Sequence, residues 1–207
     1  MGRKLIGLTV GFLLMIVLAF YLVSPEYDAI VRWLAPYLGP WLRFAFMFLI
    51  LIFADSFAFP SILIIWVVTG IIAGLLTRSH WGGIPVAIGI FLLTFLMLVV
   101  GFAGMLIPLA MGGLNIDFTA FLAAIPSDVS ILDILSAPVI GPIINMLLGG
   151  LGDLFGGGGG GSMGLEAILG SIQGIIVYII IQAVKNFVTL LICTMIGGGI
   201  GRLIKKP

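Results

Sequence analysis

Residues Phe44–Thr77 read FAFMFLILIFADSFAFPSILIIWVVTGIIAGLLT, with one charge, Asp55, and one helix breaker, Pro60. A run this apolar belongs in a bilayer, yet its roughly 34 residues would make a straight helix of about 51 Å. A hydrocarbon core of about 30 Å needs only about 20 apolar residues. The segment must therefore bend, protrude into other protein or fold as a hairpin.

Working outward, Leu5–Val23 precedes this stretch, Ile84–Ala110 follows it, and Leu165–Ile200 lies near the C-terminus with Lys185 embedded in it. The fold expected is an all-α integral membrane protein, a four-span helical bundle with spans at 5–23, 44–77, 84–110 and 165–200. It forms one polytopic domain over residues 1–207. Leu5–Val23 is too long for a signal-peptide core and no small-x-small site follows it, so it reads as an uncleaved anchor. Ser24–Arg43 reads as a linker with three prolines, and its Trp33, Tyr37 and Trp41 suit a membrane–water interface. Pro85 is expected in the first turn of the third span.

Residues 111–164 form a mixed outer segment, with re-entrant or interfacial helices expected in it. Ser127 or Asp128 is placed to cap a short amphipathic helix ending before Pro138. Ile143–Phe155 is short for a crossing and reads as re-entrant or surface-lying. Residues 156–162 read as a flexible glycine tether.

The charges sort by side. Arg3, Lys4, Arg78, Arg202, Lys205 and Lys206 flank the spans at one face, whereas Asp117, Asp128, Asp133, Asp153 and Glu166 follow one another with no base between them. Basic residues are retained on the cytoplasmic side during insertion, so both termini are expected in the cytoplasm. A hairpin at 44–77, or a fifth span at 143–155, would strand the C-terminal basic cluster outside. Four crossings avoid this.

Composition excludes much chemistry. The chain is 62% apolar and 8% charged, with a mean hydropathy of +1.37, far from a soluble domain. One cysteine, Cys193, and one histidine, His80, leave no multi-Cys or multi-His centre within the chain. No basic stripe interleaved with aromatics points to nucleic acid. The expectation is no enzyme activity, no catalytic residue, no cofactor, no metal site and no nucleic-acid partner.

Asp55 and Lys185 are the only charges set well inside apolar segments, and such residues are functional by default. A salt bridge between them is expected. Pro60 would free the carbonyl of Ser56, grouping it with the Ser56 hydroxyl and the Asp55 carboxylate at a bend, an arrangement suited to a cation or proton. On the last span Tyr178, Gln182, Lys185 or Asn186, Thr189 and Cys193 recur every three or four residues along one face, which must turn to protein or water. The candidate transport or binding residues are thus Asp55, Ser56, Gln182, Lys185 and Asn186.

Small-xxx-small pairs at Gly7/Gly11, Gly70/Gly74, Gly170/Gly174 and Gly197/Gly201 permit close helix crossing. Ala35-Pro36-Tyr37-Leu38-Gly39-Pro40 is echoed by Ala137-Pro138-Val139-Ile140-Gly141-Pro142, which raises the possibility of a two-plus-two internal repeat. The leading functional expectation is a non-enzymatic membrane subunit, with the lipid bilayer and copies of itself or other membrane subunits as partners. The alternative is a channel or carrier for a cation, proton or small solute, worked by the Asp55/Lys185 pair.

Overall fold

The computed structural model describes residues 2–112, 137–146 and 163–204. Six helices carry the fold: α1 Gly2–Leu22, α2 Ser24–Leu38, α3 Trp41–Phe53, α4 Pro60–Thr77, α5 His80–Gly112 and α6 Met163–Leu203. A further short helical stretch covers 140–146. Four of the helices, α1, α4, α5 and α6, are long and apolar enough to cross a membrane. The chain is an all-α membrane bundle. The helix expected from Ser127, the glycine tether, most of Ile143–Phe155, and Lys205 and Lys206 lie outside the described residues.

Glycines set the packing and reveal the helix directions. Gly70 of α4 lies against Leu190, Cys193 and Thr194 of α6, and Gly74 against Thr194 and Gly198, so these two helices run parallel. Gly83 of α5 meets Thr194, while Phe91 stacks edge-on with Phe187, so α5 runs antiparallel to α6. In α1, Gly11 packs on Ile90 and Thr94 donates to Met15 Sδ at 3.3 Å, so α1 runs with α5. Gly7 packs on Ala73 and Thr77. Arg3, Lys4, Arg78 and Arg202 are thereby gathered at one end of the bundle.

The turn between α4 and α5 is tight for clear reasons. Arg78 takes a left-handed φ of 53° and its N–H bonds Gly74 O at 3.2 Å, closing α4. Ser79 Oγ accepts from Gly82 N–H at 3.1 Å, which is an N-cap for α5. The helix therefore starts at His80, and Pro85 falls in its second turn rather than its first.

Residues 24–43, expected as a linker, instead contain a helix. Pro25 sits in the first turn of α2, where a missing N–H does no harm, and Pro36 in its last. Tyr27, Ile30 and Val31 are buried along one face. Arg32 pairs with Asp28 at 3.0 Å across one helical turn. Arg43 binds both Asp28 and, at 2.9 Å, Ser24 Oγ, fastening α2 to the start of α3.

Phe44–Thr77 is neither one bent helix nor a hairpin. α3 ends at Phe53, residues 54–59 form a compact break, and α4 starts afresh at Pro60. Ala45 and Trp41 pack on Gly101 and Gly104 of α5, so α3 enters from the end opposite the basic cluster. α4 is by itself long and apolar enough to cross, and α3 is a shorter apolar helix whose end overlaps it, with Leu51 O beside Trp66.

The proline-glycine echo does not repeat structurally at the local level. Its first copy closes α2, with Gly39 at φ 80°. Its second opens the stretch at 140–146, with Val139 at φ 70°.

Candidate functional site: the break between α3 and α4

A helix that stops inside a bundle exposes its last carbonyls, and in an apolar setting each must find a donor. α3 stops among buried residues: Leu51, Ile52 and Ala54 are all within 1% of full burial. Asn186 of α6 solves the problem. Its Nδ2 lies 3.1 Å from Leu51 O, 2.9 Å from Ile52 O and 3.0 Å from Ala54 O. All three neighbours only accept, so the amide must present its NH₂ to them. Trp66 Nε1 gives Leu51 O a second donor at 3.1 Å.

The break then turns on Asp55. Its Oδ1 accepts from Phe57 N–H at 3.0 Å, and its backbone carbonyl accepts from Ala58 and Phe59 at 3.1 and 3.0 Å. Pro60 occupies the first turn of α4, pre-set for helix and needing no donor. Here the sequence reading is corrected. Pro60 does not kink a continuous helix and free the Ser56 carbonyl; it starts a new helix, the old one having ended seven residues earlier.

Asp55 Oδ2 pairs with Lys185 Nζ at 3.1 Å, and the ammonium also lies 6.0 Å from the centre of the Phe57 ring. The expected ion pair is thus present. The side chains are partly accessible, 38% for Lys185 and 26% for Asp55. Lys185 lies about 26 Å along the helix axis from Arg202. In a core of about 30 Å this places the pair in the part of the slab far from the basic end. The lysine side chain leans towards the helix N-terminus, and so towards that far boundary.

The electrostatics are balanced around this pair. Asp55 follows the negative end of α3 and precedes the positive end of α4 by one turn. Lys185 is the counter-charge that lets a carboxylate sit beside helix carbonyls. Around it are three buried oxygens with no described hydrogen-bond partner: Ser56 Oγ, Gln182 Oε1 and Asn186 Oδ1. All five candidate residues are therefore on the break or on the α6 face that clasps it.

The rest of the polar stripe has quieter roles. Thr189 Oγ1 returns its bond to Lys185 O at 2.9 Å, and Cys193 packs on Gly70. Sequence reasoning missed Trp66 and Thr194, both fully buried. Thr194 was within reach, since it continues the four-residue series Gln182, Asn186, Leu190. Trp66 gives no such signal, because its partner is a backbone carbonyl set by tertiary structure.

Fold and site define a multi-pass helical membrane protein in which a break between α3 and α4 is clasped by the last helix. Neither protein-family models, nor curated proteins, nor solved structures yield a match to this chain.

Proposed function

We propose that this chain is a non-enzymatic integral membrane subunit that assembles through helix faces with copies of itself or with another membrane protein. The observation that carries this is the length of α6. Its apolar portion, Leu169–Leu203, has 35 residues and spans about 52 Å at 1.5 Å per residue. A core of about 30 Å, even with a tilt near 20°, takes up only about 32 Å of helix. Some 20 Å of apolar helix is left over, and Leu169, Ile172 and Ile176 on it are exposed. Surface of this kind beyond the hydrocarbon is a burden unless protein covers it.

The glycine pairs support the same reading. Gly7/Gly11, Gly70/Gly74 and Gly197/Gly201 are all used against other helices of the chain. Gly170 and Gly174 have no described atom within 4 Å of where a side chain would begin. The basic end, with Arg3, Lys4, Arg78 and Arg202, faces the cytoplasm in this proposal.

A second reading, cation or proton conduction through the break, is favoured by the three unpartnered buried oxygens beside Asp55. One preparation tests both. In nanodiscs, particles should contain more than one 21.9 kDa chain, or a stoichiometric partner, and Gly174→Leu should reduce that assembly. In proteoliposomes, cation flux abolished by Asp55→Asn would establish the second reading. Monodisperse single chains that carry no flux would refute both.

A further inference from the structure

At the basic end, the first turn of α5 and the last turns of α6 enclose an open cleft of about 560 Å³ lined by His80, Ile196, Gly199, Ile200, Arg202 and Leu203. Its shape depends on a missing side chain. A Cβ at Gly199 would lie 2.8 Å from His80 Nε2 and 2.9 Å from Nδ1, so only glycine lets the imidazole lie on α6. Met195 O then fixes the ring, 3.0 Å from Nδ1. A carbonyl can only accept, so Nδ1 carries the proton.

Among the described side chains, the charge in this cleft is unbalanced. The acids with described side chains are Glu26, Asp28 and Asp55, and they lie in α2 and the break, away from this end. No described carboxylate pairs with Arg202. Beside the guanidinium stand exposed apolar walls, Ile196, Ile200 and Leu203. Along α6 the order is cation at the helix end, then imidazole, then isoleucine towards the middle of the bundle.

We propose that this cleft seats one anionic phospholipid, its phosphate on Arg202 and an acyl chain along Ile200 and Ile196. A guanidinium binds phosphate through paired N–H donors, and basic pockets at the ends of transmembrane helices suit anionic headgroups. A soluble anion would use the arginine and leave the isoleucine wall bare. A zwitterionic headgroup would bring its own ammonium towards the arginine. A cation beside apolar side chains recurs independently at the start of α1, where a cleft of about 410 Å³ is lined by Lys4 with Leu5, Leu8 and Val86.

Native mass spectrometry of the full chain, with phosphatidylglycerol or phosphatidylcholine added to the detergent, tests the assignment. Phosphatidylglycerol should be retained in preference, and Arg202→Gln, a surface change that leaves the core intact, should weaken its retention by about five-fold, the weight of one basic group at an anionic lipid surface. Phosphatidylcholine retention should not move in this variant. Equal retention of the two lipids would overturn the proposal, as would undiminished phosphatidylglycerol binding in Arg202→Gln. Displacement of the lipid by millimolar inorganic phosphate would also overturn it, by showing a bare anion site.

Discussion

Asn186→Leu is expected to destabilise the protein by about 4 kcal/mol, read as a shift in the midpoint of denaturation in mild detergent. The leucine fits the volume but removes the donor that Ile52 O and Ala54 O share. Neither carbonyl has another described partner, whereas Leu51 O keeps Trp66. A stranded buried acceptor costs about 1–3 kcal/mol, and two of them give roughly 2–6 kcal/mol. That is a large part of a typical folding free energy of about 5–15 kcal/mol. Asn186→Asp should be worse at neutral pH, because a carboxylate would face three carbonyls. Gln182→Leu is the control: its Oε1 already lacks a described partner, and its loss should cost no more than about 1 kcal/mol. A loss below 1 kcal/mol in Asn186→Leu would show that the end of α3 is satisfied in another way.

The second large effect is steric. A Cβ on Gly74 would collide with Thr194 O, lie 2.7 Å from Gly198 N and lie 3.0 Å from Gly197 Cα. These are backbone atoms of α6, and no rotamer change relieves them. Gly74→Ala must therefore drive α4 and α6 apart along the contact that also positions Asn186. Overpacking against movable side chains costs about 1–3 kcal/mol, and against rigid backbone the expected loss is at or above the top of that range. Thermal scanning should show a collapse of yield or midpoint. Gly170→Ala, in open space, should leave stability unchanged or raise it by up to about 1 kcal/mol, the intrinsic helix preference for alanine. Similar behaviour of the two variants would contradict the α4–α6 packing.

These two positions show what the sequence could and could not reveal. The membrane class and the number of crossings were legible because long apolar runs have no other stable home. The Asp55–Lys185 pair was legible for a related reason: two lone opposite charges in apolar segments have few alternatives to each other. The face of α6 could be read from its four-residue spacing, and Gln182 and Asn186 are indeed buried. The early end of α3 could not be read. Local rules tie a helix break to Pro60, but the helix ends at Phe53, where Asn186, 134 residues beyond Ile52, caps it. α2 was hidden for the same kind of reason. Its prolines read as a linker, yet Pro25 and Pro36 fall in its first and last turns, and Arg43 folds back onto Ser24 and Asp28. The proline-glycine echo carries no shared local structure, since similar residues end α2 in one copy and begin the stretch at 140–146 in the other.

What unites these features is a break at residues 54–59, between α3 and α4, held against α6 by a charge and an amide. A double-mutant cycle on Asp55→Asn and Lys185→Met, in denaturation free energies, tests that arrangement most directly. Each single variant leaves a lone charge near helix carbonyls, and the double variant removes both. The pair should show a coupling on the order of 1–2 kcal/mol, above the 0.2–1 kcal/mol of exposed surface pairs and below that of fully buried ones. A coupling indistinguishable from zero would mean that the break does not rest on Lys185.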